Sequence, residues 1–170
     1  MKSNENIVFL GMMGSGKTSI GSIVSRRLNL NFFDIDHAIE NDQNMKVAKI
    51  FETKGENFFR EIEKKITLDI LRNKKGVIAL GGGTFMNKII KKEILENHLS
   101  FWLNWDNDTL INRIKNSKKR PLAFNSSRNK LLEIIKKRSL IYSKALYKIN
   151  CENYTKQEIA KKIIQIYETN

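Results

Sequence analysis

A glycine-rich segment near the start of the chain carries residues suited to phosphate chemistry. Residues 11–18 read Gly-Met-Met-Gly-Ser-Gly-Lys-Thr and match the pattern G-x-x-x-x-G-K-S/T in full. The glycines allow backbone N–H groups to wrap around phosphate oxygens, and a following helix adds the partial positive charge of its N-terminus. Lys17 is expected to reach the β- and γ-phosphates, and the Thr18 hydroxyl is expected to coordinate Mg²⁺.

The same segment predicts a nucleotide site more strongly than a chance turn. Four fixed positions match by chance in a chain of this length about once in a hundred cases. The motif does not identify the phosphate acceptor, because switch GTPases, motor ATPases and small-molecule kinases share it. The residues predicted to contact the nucleotide here are Gly14, Ser15, Gly16, Lys17, Thr18 and Ser19.

Two acids follow the second apolar segment, at Asp34 and Asp36. Ligands of parallel sheets collect at the carboxyl ends of strands, and residues two apart in an extended segment point the same way. The pair therefore predicts one carboxylate near Mg²⁺ and one near an acceptor hydroxyl. The alternative is that Asp36 caps a helix starting at His37, and the sequence leaves both interpretations open.

Two more groups have spacings that suit an anionic ligand. Arg60 and Glu63 are three residues apart in a helical pattern, so that they can hold each other in place. A surface ion pair of little energetic value is the alternative. Residues 81–83 are three glycines after an apolar run, which removes side chains and allows a ligand to approach closely. A plain flexible turn is the alternative for this segment.

A polar, basic segment at residues 116–129 interrupts the regular pattern and contains the single proline. Such a segment beside a phosphate site predicts a mobile lid, with an ordinary surface loop as the alternative. Arg120 lies in this segment and Arg138 lies on the helix predicted after it. Arginines suit planar, bidentate recognition of carboxylate and phosphate groups.

Short apolar runs alternate with helix-patterned stretches along the chain. Continuous apolar runs predict buried strands at residues 7–10, 77–80 and 101–103, with weaker candidates at 32–33 and 146–149. Apolar residues at helical spacing predict helices at 17–28, 56–72, 106–115, 130–143 and 156–167. We therefore predict an α/β fold of the P-loop NTPase type, with three layers: a five-stranded parallel sheet and helices on both of its faces.

Composition restricts the classes of function. A chain of 170 residues and 19.8 kDa fits a single kinase domain over residues 1–170. The net charge of +13 raises the alternative of nucleic-acid binding. However, the lysines occur as doublets scattered along the chain rather than as one block with interleaved aromatics. This distribution favours solvated helix faces with a modest steering effect on anionic ligands, and we expect no nucleic-acid partner.

Cysteine content and hydropathy indicate the compartment. Cys151 is the single cysteine, which excludes an internal disulfide and argues against a cysteine-based metal site. It lies near a predicted strand end and is expected to be a small buried residue. The apolar run 7–10 is too short for a signal peptide, and no stretch approaches the roughly 18 apolar residues of a membrane span. We expect a soluble cytoplasmic protein without a membrane partner.

Together the motifs resemble the shikimate kinase family from about residue 7 to residue 142. After the glycine-rich loop come D-I-D, G-E-N-F-F-R-E-I-E, G-G-G, R-P-L and R-S-L-I-Y, in the order and approximate spacing of that family. The loop is generic, whereas the set that follows it is specific. The chain departs from the family pattern in R-P-L-A, where a second leucine is usual, and at residues 150–154, where the adenine-contacting loop has no clear match.

The resemblance implies transfer of the γ-phosphoryl group of ATP to the 3-hydroxyl of shikimate, in chorismate and aromatic amino acid biosynthesis. It implies that the enzyme uses Mg²⁺ and acts as a monomer. For the acceptor, it implies that Asp36 holds the shikimate hydroxyls and accepts a proton, that Arg60 and Arg138 bind the carboxylate, and that the pocket is lined by Gly81, Gly82 and Gly83.

For the nucleotide and the metal, the resemblance implies that Asp34 reaches Mg²⁺ through water. It also implies that Arg120 closes over the transferred phosphoryl group and that Arg113 stacks on adenine.

Three rival functions are weaker. A gluconate- or nucleoside-type kinase on the same scaffold is not expected to combine G-G-G with F-R-x-x-E. A basic nucleotide-dependent nucleic-acid-binding protein would concentrate its lysines. A binding module that has lost catalysis would lack some expected catalytic residues, whereas Lys17, Asp36 and Arg120 are all present.

Overall fold

Five parallel strands form one sheet in the computed structural model, which describes residues 5–116 and 126–169. The strand order is β2-β3-β1-β4-β5. The predicted five-stranded parallel sheet is confirmed, and the predicted strand positions are right to within two residues. The strands are β1 (Ile7–Leu10), β2 (Asn31–Asp34), β3 (Gly76–Ala79), β4 (Leu99–Asn104) and β5 (Tyr147–Asn150).

Helices connect the strands in the described parts of the chain. They are α1 (Lys17–Arg27), α2 (Ile35–Gln43), α3 (Val47–Asn73), α4 (Lys88–Asn97), α5 (Asn107–Lys115), α6 (Arg128–Tyr142) and α7 (Lys156–Glu168). The sequence prediction lacked α4 and the first part of α3, and it contained α2 only in the alternative of a helix that starts at His37. Helix α4 has ten residues and buries only Ile90 and Ile94, so few buried positions mark it in the sequence.

The helices lie on both faces of the sheet, as predicted. Alternate strand residues point to opposite faces, so that Val8 and Leu10 join one apolar cluster while Ile7 and Phe9 join the other. Helices α2 to α6 contribute to the first cluster, and α1 and α7 contribute to the second. Because both faces are covered, the central strands are continuous apolar runs, which is why the sequence revealed them.

Helix α3 changes direction at Gly55. The backbone there has φ 80° and ψ 171°, a conformation that side chains rarely adopt. A Cβ atom at this position would meet nothing within 4 Å, so the backbone conformation rather than lack of space favours glycine. The part of α3 that carries Arg60 and Glu63 therefore runs in a different direction from the part that precedes Gly55.

Cys151 lies directly after β5 and is fully buried, which confirms the prediction of a small buried residue. Its Sγ atom donates to the Ile149 carbonyl at 3.3 Å, and burial raises the pKa of the thiol to about 12. The thiol is therefore protonated at neutral pH and unsuited to nucleophilic chemistry. None of the helices within residues 5–116 and 126–169 is both long and apolar enough to cross a membrane.

Candidate active site

The glycine-rich loop joins β1 to α1 at the carboxyl edge of the sheet. Gly14 (φ 79°) and Gly16 (φ 90°) both lie in the left-handed region that favours glycine. Helix α1 begins at Lys17 and has no acidic residue in its first turn. The helix expected after the motif is therefore present, and its N-terminal amides and partial positive charge adjoin the loop.

Lys17 folds back over this loop and is largely buried. Its Nζ atom donates to the carbonyl oxygens of Gly11 at 2.8 Å and Met12 at 2.9 Å. Burying an ammonium group is costly unless hydrogen bonds compensate, and these carbonyls supply them. The result is a positive charge held beside the glycine-rich loop.

Asp34 connects the loop to the second strand. The Thr18 hydroxyl donates to Asp34 Oδ2 at 2.6 Å, and the His37 backbone N–H donates to Asp34 Oδ1 at 3.2 Å. Asp34 is therefore the N-cap of α2, and the alternative that Asp36 caps this helix is wrong. The predicted extended segment through residue 36 is also wrong, because the strand ends at Asp34 and α2 begins at Ile35.

Asp36 lies in the first turn of α2 and faces the first of the three glycines. A Cβ atom on Gly81 would lie 2.8 Å from Asp36 Oδ1, 2.8 Å from Thr84 Oγ1 and 3.0 Å from Glu63 Oε1. The two distances of 2.8 Å are shorter than real Cβ contacts, and the third is tighter than most of them. Glycine at this position therefore provides the space in which three polar side chains of α2, α3 and the turn after β3 meet.

Arg60 is held by two carboxylates of its own helix. Its Nη1 atom donates to Glu63 Oε2 at 2.7 Å, and its Nη2 atom donates to Glu56 Oε1 at 3.2 Å. The Glu63 side chain is only 4% exposed, so the alternative of a surface ion pair is wrong for this contact. Glu63 Oε1 also accepts a hydrogen bond from the buried Thr84 hydroxyl at 2.7 Å. The spacing prediction that Arg60 and Glu63 hold each other is confirmed.

The electrostatics keep Arg60 charged. Burial alone lowers the pKa of this guanidinium group, but the carboxylates of Glu63 and Glu56 outweigh burial and raise the pKa above its ordinary value. Because Glu63 is fixed by Thr84, the orientation of Arg60 is set by the protein before any ligand arrives. Such a preorganised cation suits recognition of a carboxylate.

A second arginine approaches the same turn from α6. A Cβ atom on Gly82 would lie 3.4 Å from Arg138 Nη1, and one on Gly83 would lie 2.9 Å from Arg60 Nη1. The buried Tyr142 hydroxyl donates to the Gly82 carbonyl and ties α6 to the turn. The structure therefore brings Arg60, Arg138 and Asp36 together around residues 81–83, and the absent glycine side chains make room for them.

This turn also lies against the phosphate loop. A Cβ atom on Gly82 would lie 3.3 Å from the backbone nitrogen of Met13. The polar side chains around residues 81–83 therefore lie beside the glycine-rich loop. The arrangement suits transfer of a phosphoryl group between two bound molecules.

Arg113, on α5, lies at the opposite side of the loop. Its Cζ atom is 3.8 Å from the centre of the Trp105 ring, and its Nη1 atom donates to the Gly14 carbonyl at 3.3 Å. Sequence reasoning missed Trp105 as well as the roles of Thr84 and Tyr142. A tryptophan directly after a strand's carboxyl end was an available signal, because that edge of the sheet carries the site.

Two predicted features lie outside the described residues. Arg120 belongs to residues 117–125, and so does most of the predicted lid. Both remain predictions.

Comparison with known proteins agrees with this arrangement. A family model described as Shikimate kinase matches residues 13–168. The chain is 40% identical over 168 residues to a shikimate kinase of Bacillus subtilis, covering 94% of this chain and 87% of the relative. It is also similar to the structure of Acinetobacter baumannii shikimate kinase in complex with shikimate, with a TM-score of 0.91 and 28% identity over 99% of this chain and 96% of that one.

A second solved structure of a shikimate kinase is also similar to this chain. Shikimate kinase from Aquifex aeolicus superimposes with a TM-score of 0.86 and 31% identity, covering 96% of each chain. The segment of this chain that the family model matches contains most of the glycine-rich loop, Asp34 and Asp36, Arg60, the three glycines at 81–83 and Arg138. Sequence, fold and local geometry therefore agree, and the chain belongs to the shikimate kinase family.

Proposed function

We propose that this protein is a shikimate kinase, which transfers the γ-phosphoryl group of ATP to the 3-hydroxyl of shikimate and yields shikimate 3-phosphate and ADP. It thereby acts in chorismate and aromatic amino acid biosynthesis. The observation that carries the proposal is the convergence of Arg60, Arg138 and Asp36 on residues 81–83, directly beside the phosphate loop. Family membership supports the same assignment.

The acceptor pocket matches shikimate in charge and in hydrogen bonding. Shikimate has a carboxylate and three hydroxyl groups, so that it needs cationic donors at one end and an acceptor at the other. Arg60 and Arg138 are assigned to the carboxylate, and each charge-assisted hydrogen bond contributes roughly 1.5–3 kcal/mol. Asp36 is assigned to the hydroxyls, and Gly81, Gly82 and Gly83 line the pocket between these groups.

Phosphoryl transfer requires positioning and charge stabilisation more than covalent chemistry. The 3-hydroxyl oxygen forms a bond to the γ-phosphorus while the bond from that phosphorus to the β,γ-bridging oxygen breaks. The electron pair leaves with ADP, and the hydroxyl proton passes to the Asp36 carboxylate. Lys17 and the amides of Gly14, Ser15, Gly16, Thr18 and Ser19 are assigned to the phosphates, with Arg120 added from the predicted lid.

The residues present also fit a magnesium ion. Thr18 Oγ1 and Asp34 Oδ2 are hard oxygen donors that lie 2.6 Å apart beside the loop. Among the described residues, no three His, Cys, Asp or Glu side chains could form a full metal cage. Mg²⁺ suits such a site, because it keeps water and substrate phosphates as ligands. Thr18 would hold the ion directly and Asp34 through water, and the bound ion would neutralise phosphate charge.

The broader assignments are also proposals. Within residues 5–116 and 126–169, the groups invoked above belong to one sheet, its helices and the loops that join them, which supports a single kinase domain over residues 1–170. Lysine doublets lie on four different helices, α3, α4, α6 and α7, which supports a protein without a nucleic-acid partner. A monomer in the cytoplasm remains the prediction, and sedimentation of the purified protein tests its oligomeric state.

An acceptor panel tests the proposed function. Purified protein with ATP and Mg²⁺ is expected to release ADP rapidly with shikimate, and at background rate with gluconate, nucleosides or nucleoside monophosphates. Identification of shikimate 3-phosphate by mass spectrometry completes the assay. Turnover of gluconate in place of shikimate, or ADP release that does not depend on shikimate, would overturn the proposal.

Replacing Glu63 with glutamine is expected to raise the KM for shikimate about tenfold, because Arg60 loses its buried charged partner. The matched control is Glu56→Gln, which removes the other carboxylate bound to Arg60. Glu56 is 65% exposed, so its loss is expected to change KM by less than about twofold. Initial rates at varied shikimate measure both variants, and equal effects would contradict the positioning role of Glu63.

A further inference from the structure

Trp105 follows β4 directly and lies half-buried beside the phosphate loop. Its indole Nε1 atom donates to the Ser15 carbonyl oxygen at 2.9 Å. This hydrogen bond spans ninety residues of sequence and joins the loop to the neighbouring strand. Neither the glycine-rich motif nor the roles implied by family resemblance include this residue.

The hydrogen bond has a geometric consequence for the loop. In a planar trans peptide the C=O of one residue and the N–H of the next point in opposite directions. A donor that holds the Ser15 carbonyl toward Trp105 therefore directs the Gly16 N–H away from Trp105, in the opposite direction within the same peptide plane. Gly16 has φ 90°, and glycine has a wide conformational range. Without the hydrogen bond from Trp105, the Ser15–Gly16 peptide would therefore be free to rotate.

Trp105 also supports Arg113. The guanidinium carbon lies 3.8 Å from the centre of the Trp105 ring, and Arg113 Nη1 donates to the Gly14 carbonyl at 3.3 Å. Two successive loop carbonyls are thus held by side chains of the segment after β4. Arg113 is exposed, so the guanidinium face turned away from the indole is accessible to a planar base.

We propose that Trp105 is a positioning residue for the nucleotide: its N–H orients the Ser15–Gly16 peptide of the phosphate loop, and its ring holds Arg113 flat for the base. The proposal rests on the proposed function only in placing a nucleotide at residues 14–18. It requires no particular acceptor. The indole acts through the loop and through Arg113.

A purely structural role for Trp105 has different consequences. Trp105 packs against both apolar clusters, and a simple packing role would lower stability without a selective effect on nucleotide affinity. Trp102 provides the comparison, because it is the other of the two tryptophans and lies in the core on β4. Its ring packs 6.1 Å from that of Tyr142, on the acceptor side.

Calorimetric titration with Mg-ADP, in the absence of shikimate, tests the proposal. Trp105→Phe keeps an aromatic ring but loses the N–H, and we expect its Kd to rise about three- to tenfold. Trp105→Leu loses the ring as well and is expected to bind still more weakly. Trp102→Phe is expected to keep the wild-type Kd within twofold. Wild-type affinity in W105F, or an equal loss in W102F, would overturn the proposal.

The fluorescence of W102F provides a measurement that does not depend on the folding of W105F. In W102F the sole tryptophan is the native Trp105, and its emission is expected to change on addition of Mg-ADP. In W105F the sole tryptophan is Trp102, and its emission is expected to stay constant. An unchanged spectrum in W102F would contradict the proposal. Neither measurement uses shikimate. Failure of shikimate turnover would therefore refute the proposed acceptor but not the proposed role of Trp105.

Discussion

Replacing Lys17 with methionine is expected to lower kcat by about a thousandfold with shikimate and ATP. Methionine nearly matches the length of the lysine side chain but removes the ammonium charge that lies over the carbonyls of Gly11 and Met12. Phosphoryl transfer depends on positive charge placed in advance beside the transferred group, so the loss falls mainly on the transition state. A coupled assay of ADP release measures it.

An exposed lysine supplies the control for this variant. Lys161 lies exposed on α7, and Lys161→Met is expected to keep wild-type kcat. Thermal unfolding of both variants separates lost chemistry from lost structure. A kcat for Lys17→Met within tenfold of wild type, in a folded protein, would show that Lys17 does not act on the phosphates.

Replacing Asp36 with asparagine is expected to lower kcat by about 10²- to 10⁴-fold, because the amide cannot accept the proton of the attacking hydroxyl. Asparagine has the same shape, so it preserves the contacts around Gly81 that a larger residue would disturb. The KM for shikimate is expected to change less than kcat, since Arg60 and Arg138 still bind the carboxylate. Initial rates at saturating ATP separate the two constants.

The matched control for Asp36 lies on the same helix. Asp42 is exposed near the end of α2, and Asp42→Asn is expected to leave both constants unchanged. If turnover by Asp36→Asn survived within a few fold of wild type, the assigned proton-accepting role would be wrong. Normal Mg-ADP binding by Asp36→Asn would confirm that the loss concerns the acceptor side of the site.

The cap of α2 shows where local patterns were insufficient. The sequence contains two acids two residues apart, and either can cap a helix that starts nearby. The structure shows that the strand ends at Asp34, whose carboxylate contacts both Thr18 and the His37 amide. Thr18 lies on another element, so the local sequence does not contain its contact with Asp34.

The sequence by itself determined the sheet, the phosphate loop and the pairing of Arg60 with Glu63. Each depends on neighbouring residues: apolar runs buried on both faces, eight consecutive loop residues, and one turn of helix. Resemblance to a known family then supplied the acceptor. The sheet, the loop and the ion pair are encoded by local patterns, which can be recognised without knowledge of how the elements pack.

Only the tertiary structure decided what makes these groups a site. It buried Glu63 against Thr84, placed Asp36, Arg60 and Arg138 in the space left by three glycines, and joined Trp105 to Ser15. Each of these contacts joins residues from separate elements, and each depends on the order and packing of strands and helices. Burial and orientation are properties of such packing, which is the physical reason that composition and spacing could not predict them.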